Sequence, residues 1–158
     1  MKAATVTEIK KELQDRSKDE MLHYCLHLSR FKKENKELLT YLLFESHNEQ
    51  RYIENIKIEI ELLFSDINTT SYFYIKKSVR KILRRIKTYI RYSKKKETEV
   101  ELLLHFCKLL KALTPPMERS KALYGIYDRQ IIVIEKAIDK LHEDLQYDYN
   151  YILEGLKA

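Results

Sequence analysis

The sequence predicts an all-α protein, and three observations support that prediction. Apolar residues recur at the three- and four-residue spacing of helices along almost the whole chain. Only two glycines and two prolines occur among 158 residues, whereas average chains contain about 7% and 5% of these helix-breaking residues. No run of alternating apolar and polar residues bounded by turn residues indicates a strand. We therefore expect long helices joined by short turns.

The composition predicts one domain with a core of its own. Hydrophobic residues make up 44% of the chain and charged residues 34%, which is typical of soluble globular proteins and not of disordered segments. A chain of 158 residues is long enough for one core and short for two. We expect a single helical domain over residues 1–158.

The first three predicted helices are short. Residues 5–16 place Val6, Ile9 and Leu13 on one face. Ser17 and Glu20 have the spacing of a capping box, in which each side chain binds the other residue's backbone amide, and they predict a second helix to about Phe31. A third, leucine-rich helix is expected over residues 36–45.

The next two predicted helices are longer. Asn48 is placed to cap a fourth helix, whose isoleucines and leucines recur at helical spacing as far as Ile67. The sequence NTTS at 68–71 then interrupts the pattern. A basic helix follows and is expected to end near Ser93.

Two further helices and a short terminal segment complete the prediction. The sixth helix carries Val100 to Leu110 and is stopped by Pro115 and Pro116, which lack backbone N–H groups. The seventh is expected to be long, from about Leu123 to Leu145, with Gly125 allowing a neighbouring helix to approach. The terminal segment YDYNYILEGL suggests one more short helix. In total, about seven antiparallel helices should form a bundle or a short HEAT-like array of helix pairs.

Two short stretches of the chain resemble each other. Residues 21–28 read MLHYCLHL and residues 103–110 read LLHFCKLL, so both contain histidine, an aromatic residue and cysteine in the same order. A duplicated helical unit would produce such a match. Because the flanking helices align poorly, we interpret the match as coincidental. Cys25 and Cys107 are both expected to be small, reduced core residues.

The order of the elements resembles that of small uncharacterised bacterial all-helical proteins. The features that carry this resemblance are short helices followed by a basic helix rich in Arg, Lys and Ile, then a leucine helix with an acidic start, TEVELLLHFC. The resemblance implies an all-helical fold. It implies no activity and no site residue.

The most unusual feature is the concentration of positive charge between residues 71 and 96. This segment contains seven lysines, four arginines and no acidic residue, while the rest of the chain has 19 basic and 24 acidic residues. The net charge of +6 therefore arises locally. A local excess of this kind is either neutralised by acidic residues of the same fold or available to a polyanionic partner.

A helical projection at about 100° per residue separates the two faces of the basic helix. One arc of about 120° holds Ile75, Val79, Ile82, Leu83, Ile86, Tyr89 and Ile90. The opposite half holds Lys76, Lys77, Arg80, Lys81, Arg84, Arg85, Lys87 and Arg91. The candidate polyanion-binding residues are Lys76, Arg80, Arg84, Lys87 and Arg91, with Tyr74 and Tyr92 available to stack on bases.

Three interpretations of the basic helix remain open. Acidic residues of the fourth helix, for instance Glu54, Glu59 and Glu61, would neutralise it within the fold. Alternatively it binds nucleic-acid phosphates, or it meets an acidic protein or an anionic membrane surface. Membrane attachment is the weakest, because the apolar arc is needed for the core.

Histidine and carboxylate pairs were considered as metal ligands. His23 and His27 have i, i+4 spacing, but Tyr24 occupies the position of the catalytic Glu of an HExxH motif. Glu20 with His23 and Asp139 with His142 have the i, i+3 spacing of di-iron bundles, without the second Glu-x-x-His that such sites need. A metal-dependent bundle enzyme is therefore only a remote alternative.

The sequence predicts no catalytic residue, cofactor or metal, and hence no enzyme. It has no P-loop, no G-x-G-x-x-G and no G-x-S-x-G motif. Neither a signal peptide nor a membrane span is indicated, so we expect a cytoplasmic protein. A homodimer is a further expectation, formed through the seventh helix or through Tyr147, Tyr149 and Tyr151.

Overall fold

The computed structural model describes residues 1–158 and contains eight α-helices and no strand. This confirms the all-α prediction, and the predicted number of about seven helices is close. The helices are α1 Val6–Gln14, α2 Lys18–Phe31, α3 Lys33–Thr40, α4 Glu49–Ser65, α5 Tyr72–Ser93, α6 Lys96–Lys111, α7 Lys121–Ile138 and α8 Glu143–Lys157. One π turn, Tyr41–Glu45, continues α3, and a 3₁₀ turn, Met117–Arg119, precedes α7.

The chain divides into two compact units, residues 1–44 and residues 45–158. We refer to them as the N-terminal unit and the C-terminal unit and describe each by itself. The expectation of one domain over residues 1–158 stays a prediction.

The helix starts of the N-terminal unit use two different caps. A reciprocal capping box forms at Thr5, whose backbone N–H donates to Glu8 Oε2 at 2.7 Å while Glu8 N donates to Thr5 Oγ1 at 3.3 Å. Ser17 caps α2 by accepting from Glu20 N at 3.2 Å. The Glu20 carboxylate does not bind back, and instead lies 3.8 Å from Arg16 Nη1. The predicted start of α2 is right, whereas the reciprocal box is found at α1.

The N-terminal unit has almost no interior. Helices α2 and α3 pack side by side, and Asn35 Nδ2 donates to Leu28 O at 2.8 Å between them. None of the residues of α1, α2 and α3 is buried. Cys25 is exposed, so the prediction that it is a core residue is wrong, because the helix that carries it packs against α3 alone and buries no residue.

The C-terminal unit is built around α6. This helix contacts α4, α5, α7 and α8. Three consecutive residues, Leu102, Leu103 and Leu104, are buried, and Phe106 and Cys107 have no exposed surface. A helix that is buried around most of its circumference lies at the centre of its bundle. The prediction that Cys107 is a core residue is correct.

The predicted long seventh helix is two helices. Helix α7 ends at Ile138, and α8 begins at Glu143 with His142 as its N-cap. Gln146 Nε2 donates to Leu141 O at 2.8 Å and to Asp139 O at 3.3 Å, which satisfies carbonyls just after α7. This side-chain cap explains why an apolar pattern that continues past Ile138 does not prolong the helix.

The end of α8 is held by two hydrogen bonds to a single carbonyl. Tyr127 Oη donates to Leu156 O at 2.7 Å and Lys111 Nζ donates to the same oxygen at 2.8 Å.

Gly125 does not bring helices together, since a Cβ there would meet only Arg129 Nη1, at 3.4 Å. That prediction is therefore wrong.

Candidate nucleic-acid interface

Helix α5 presents one face to the core of the C-terminal unit. It is 22 residues long and packs against α4 and α6. The buried side chains on this face are Ile75, Val79, Ile82, Leu83 and Ile86. They belong to the predicted apolar arc. A helix with one apolar and one charged side can bury only its apolar side in a core. The position of α5 is therefore set by its apolar face, and the opposite face is left to the solvent.

The five predicted site residues form one row on the opposite face. Arg80, Arg84, Lys87 and Arg91 are exposed and Lys76 is half-buried. Their spacing of three or four residues keeps them on one side of the helix over a length of about 22 Å. Lys77 and Lys81, also exposed, lie beside the row. We call these seven residues the basic face.

The acidic residues expected to neutralise the helix are engaged elsewhere, with one exception. Glu59 Oε1 lies 3.4 Å from Arg85 Nε and also accepts a hydrogen bond from Tyr89 Oη at 2.8 Å. Glu61 lies 3.0 Å from His105 Nε2, and Glu54 accepts from Gln50 Nε2 at 3.1 Å. Internal neutralisation therefore involves Arg85 and does not extend to the basic face.

No acidic side chain of the C-terminal unit lies within salt-bridge distance of the basic face. The seven side chains of the basic face make one hydrogen bond to another side chain, from Arg91 Nη2 to the Thr88 hydroxyl at 3.3 Å. Arg85, by contrast, pairs with Glu59 and lies over the Tyr89 ring, 4.4 Å from its centroid. The charges of the basic face are therefore uncompensated within this unit, and they repel one another.

Two aromatic side chains lie at the N-terminal end of the same helix. Phe73 is 64% exposed and Tyr74 is 48% exposed, and their rings meet edge to face at 5.4 Å. At about 100° per residue, Phe73 has the same angular position as Arg91, in the middle of the basic half. Tyr92 is buried, so the prediction that it is available for stacking is wrong. Sequence reasoning missed Phe73, although the same helical projection places it there.

A polar cluster holds the C-terminal end of α5 in place. Thr98, which has no exposed surface, donates to Glu49 Oε1 at 2.6 Å, and Ser93 Oγ donates to the same carboxylate. Lys95 Nζ lies 3.2 Å from Glu49 Oε2. The cluster joins the start of α4, the end of α5 and the start of α6. It therefore fixes the end of the basic face relative to the core.

A second polar cluster joins α4, α6 and α8. Tyr149 Oη donates to Glu101 Oε1 at 2.8 Å and lies 3.1 Å from Glu97 Oε1, while Lys57 forms a salt bridge with Glu101. Burial by itself would raise the pKa of Glu101, but the hydrogen bonds from Lys57 and Tyr149 outweigh it and lower that pKa. Burial and the Glu101 carboxylate raise the pKa of Tyr149. These groups therefore act as a fixed ion pair and a hydrogen-bond donor.

The other residues considered for chemistry are spread over the two units. His23 and His27 are exposed with ring centroids 6.4 Å apart, and His142 serves as the N-cap of α8. No group of three His, Cys, Asp or Glu side chains is placed to hold a metal ion. Burial raises the pKa of the Cys107 thiol to about 12, which leaves it unreactive near neutral pH.

No helix combines the length and apolar character needed to cross a membrane. No protein-family model matches the sequence, and neither a curated protein nor a solved structure shows significant similarity to it.

Proposed function

We propose that the protein is a non-enzymatic, cytoplasmic binding module whose basic face on α5 binds the phosphates of nucleic acid. The observation that carries this proposal is the row of Lys76, Arg80, Arg84, Lys87 and Arg91, for which the C-terminal unit supplies no acidic partner. The buried face of α5 fixes the helix, so the row of cations already has a defined geometry before a polyanion binds. Binding then needs little further ordering of the backbone.

The chemistry of the basic face favours phosphate binding without sequence preference. Lysine and arginine form charge-assisted hydrogen bonds with phosphate oxygens whatever the neighbouring base. Helix α5 contains no Asn or Gln, the residues that most often read adenine through two hydrogen bonds. We expect weak, salt-sensitive binding to many sequences.

The two exposed aromatic side chains are placed to stack on unpaired bases beside the basic row. Phe73 lies in line with the basic row and Tyr74 lies beside it, so unpaired bases can stack on a ring while phosphates reach the arginines. Stacking of this kind tolerates every base. A protein partner could also bury Phe73, and the fluorescence of a Phe73→Trp variant distinguishes the two partners.

The first test measures how salt affects binding to a labelled oligonucleotide. With five phosphates neutralised, the logarithm of the association constant should fall with the logarithm of salt concentration at a slope of about 3.5 to 4.5. Replacing Arg84 and Arg91 by Gln should reduce this slope by about 1.4 to 1.8. The matched control replaces Arg119 and Arg129 by Gln, two exposed arginines of the same unit, and should leave the slope unchanged.

The outcomes of this test separate the proposal from its rivals. Equal slopes for the two double variants would mean that binding follows net charge and not the basic face. No binding to any oligonucleotide at low salt would overturn the proposal. Capture of a purified acidic protein, lost at high salt and in R84Q/R91Q, would then point to the protein partner.

The second test uses the absence of tryptophan from the chain. A Phe73→Trp variant carries a single indole, whose fluorescence should be quenched by single-stranded oligonucleotide if a base stacks on it. Phe73→Ala should weaken single-strand binding by about five- to hundredfold and duplex binding much less. Equal losses for both, or no quenching, would leave phosphate binding in place and remove the aromatic residues from the interface.

A further inference from the structure

The three helices of the N-terminal unit have no buried residue, and Tyr41 in the π turn is the one buried residue among residues 1–44. Helices α1, α2 and α3 are 9, 14 and 8 residues long. Isolated helices shorter than about 12 to 15 residues are marginal in water, and most helical stability in proteins comes from burying an apolar face. Three such short helices are stable only if something covers their apolar side chains.

The uncovered apolar area of this unit is large. Eight of its exposed apolar side chains are Val6 at 84%, Ile9 at 47%, Leu22 at 57%, Leu26 at 40%, Leu28 at 60%, Phe31 at 72%, Leu38 at 36% and Leu43 at 60%. Together they offer on the order of 900 Å², which compares with about 800 Å² per partner in a stable interface of standard size.

Two shallow grooves contain part of this apolar area. One lies along α1 and α2 and is lined by Val6, Ile9, Leu13 and Met21. The other lies between α2 and α3 and includes Cys25, Leu28 and Leu38. Each groove can receive the apolar ridge of another helix, which is how pairs of helices pack.

We propose that the occupant of these grooves is the N-terminal unit of a second copy of the chain, which forms a two-fold symmetric dimer. In a two-fold interface the same patch meets itself, so apolar side chains cover apolar side chains on both copies. The available area is sufficient for such an interface. The proposal is independent of nucleic-acid binding by α5.

The charge distribution also fits a second copy. Residues 1–44 contain nine basic and seven acidic residues, so two copies of the unit repel each other little and can pair opposite charges around the rim. A partner recognised by charge would instead require an excess of one sign. The near balance leaves apolar contact as the main source of affinity, and the patch itself supplies that on both sides.

The test is sedimentation equilibrium on the full chain with two matched variants. Leu28→Glu places a charge in the α2–α3 groove, while Leu62→Glu places one on α4, and these two leucines are exposed by 60% and 61%. We expect a dimer for wild type and for L62E. In L28E the dissociation constant should rise at least about a hundredfold, because the symmetric interface buries the new charge twice.

A second measurement needs no mutation and covers the case in which L28E does not fold. Cys25 is exposed and lines the α2–α3 groove, whereas Cys107 is buried, so iodoacetamide should modify Cys25 alone in the native protein. In a dimer the rate of modification should fall at least tenfold as protein concentration rises through the dissociation constant. The rate in dilute protein serves as the reference.

Each outcome decides the proposal. A monomeric wild type at high concentration overturns it, as does a dimer that L62E disrupts and L28E does not. Protection of Cys25 at every concentration would also overturn it, since the cover would then come from the same chain. Concentration-dependent protection together with selective loss of the dimer in L28E supports it.

Discussion

Residues 21–28 and 103–110 match at four of eight positions and carry His, an aromatic residue and Cys in the same order on two helices, MLHYCLHL in α2 and LLHFCKLL in α6. In α6, Phe106 and Cys107 have no exposed surface. In α2, the corresponding Tyr24 is 38% exposed and Cys25 is exposed as well. The local sequences favour the same helix and the same apolar face. The burial differs because α6 is surrounded by four helices and α2 is paired with one.

The difference extends from these eight residues to the units that contain them. In the C-terminal unit the apolar side chains of several helices meet at α6 and exclude water from one another, which is the main source of folding free energy. In the N-terminal unit the same kind of side chain remains in contact with solvent. Four measurements would test this comparison, beginning with the largest expected effect.

Separating the two units should produce the largest effect. A fragment of residues 45–158 should remain helical and unfold in one cooperative transition, because it retains its core. A fragment of residues 1–44 at micromolar concentration should show little helix and no cooperative transition. Far-ultraviolet circular dichroism during thermal unfolding measures both. Cooperative unfolding of the isolated fragment 1–44 at high dilution would contradict the comparison.

Removing the equivalent aromatic ring from each stretch should have very different results. Phe106 packs edge to face on Phe64 at 5.7 Å, so Phe106→Ala should lower the free energy of unfolding by about 3 to 5 kcal/mol. Tyr24→Ala should change the unfolding of the C-terminal unit by less than about 0.5 kcal/mol. Urea denaturation of dilute protein provides both values. Similar losses for the two variants would mean that α2 is also buried.

A smaller effect is expected at Glu101 and should depend on pH. The folded state lowers the pKa of Glu101 below its ordinary value of 4.5, so its contribution to stability is present above that pH and is lost as the pH falls through the folded value. Glu101→Gln should therefore cost about 1 to 2 kcal/mol at pH 7 and progressively less below pH 4.5.

The control for Glu101 is an exposed carboxylate of the N-terminal unit. The side chain of Glu12 is 73% exposed in its pair with Arg16. Glu12→Gln should therefore leave the free energy of unfolding of the C-terminal unit unchanged. Denaturation curves of both variants between pH 3 and 7 would check the difference. A cost of Glu101→Gln that does not change with pH would show that the side chain matters for packing and not for its charge.

The smallest expected effect is a gain in stability at the end of α5. Lys94 adopts a left-handed conformation with φ of 59°, which is unfavourable for residues with a Cβ and is usually occupied by glycine at this position. Lys94→Gly should raise the free energy of unfolding by about 0.5 to 1 kcal/mol. Lys94→Ala, which retains the Cβ, should give no such gain. Equal effects of the two substitutions would attribute the change to lost charge.

Local patterns were sufficient wherever a single helix determined the result. The caps at Ser17 and Asn48 and the buried arc of α5 were predicted correctly, because a cap involves neighbours in sequence and an amphipathic helix can bury only one side. The basic row was predictable for the same reason. Phe73 was equally accessible to this reasoning, since its place in the basic half follows from the helical repeat alone.

Local patterns failed where the outcome depended on other helices. The apolar periodicity continues from α7 towards α8, yet Gln146 caps the carbonyls after Ile138 and ends the helix. Tyr92 lies near the basic face in projection but is buried. At the end of α7 the deciding contact comes from a separate element, whose position the pattern of one helix does not contain.

The sequence by itself determined that this protein is helical, where most of its helices begin and which side of α5 is charged, because these properties depend on residues within a few positions of each other. Only the tertiary structure decided that α6 is central, that Cys107 is buried while Cys25 is exposed, and that Glu59 pairs with Arg85 but leaves the basic face uncompensated. Burial and ion pairing depend on which surfaces meet. Two octapeptides with His, an aromatic residue and Cys in the same order can therefore have opposite environments when different numbers of helices pack around them.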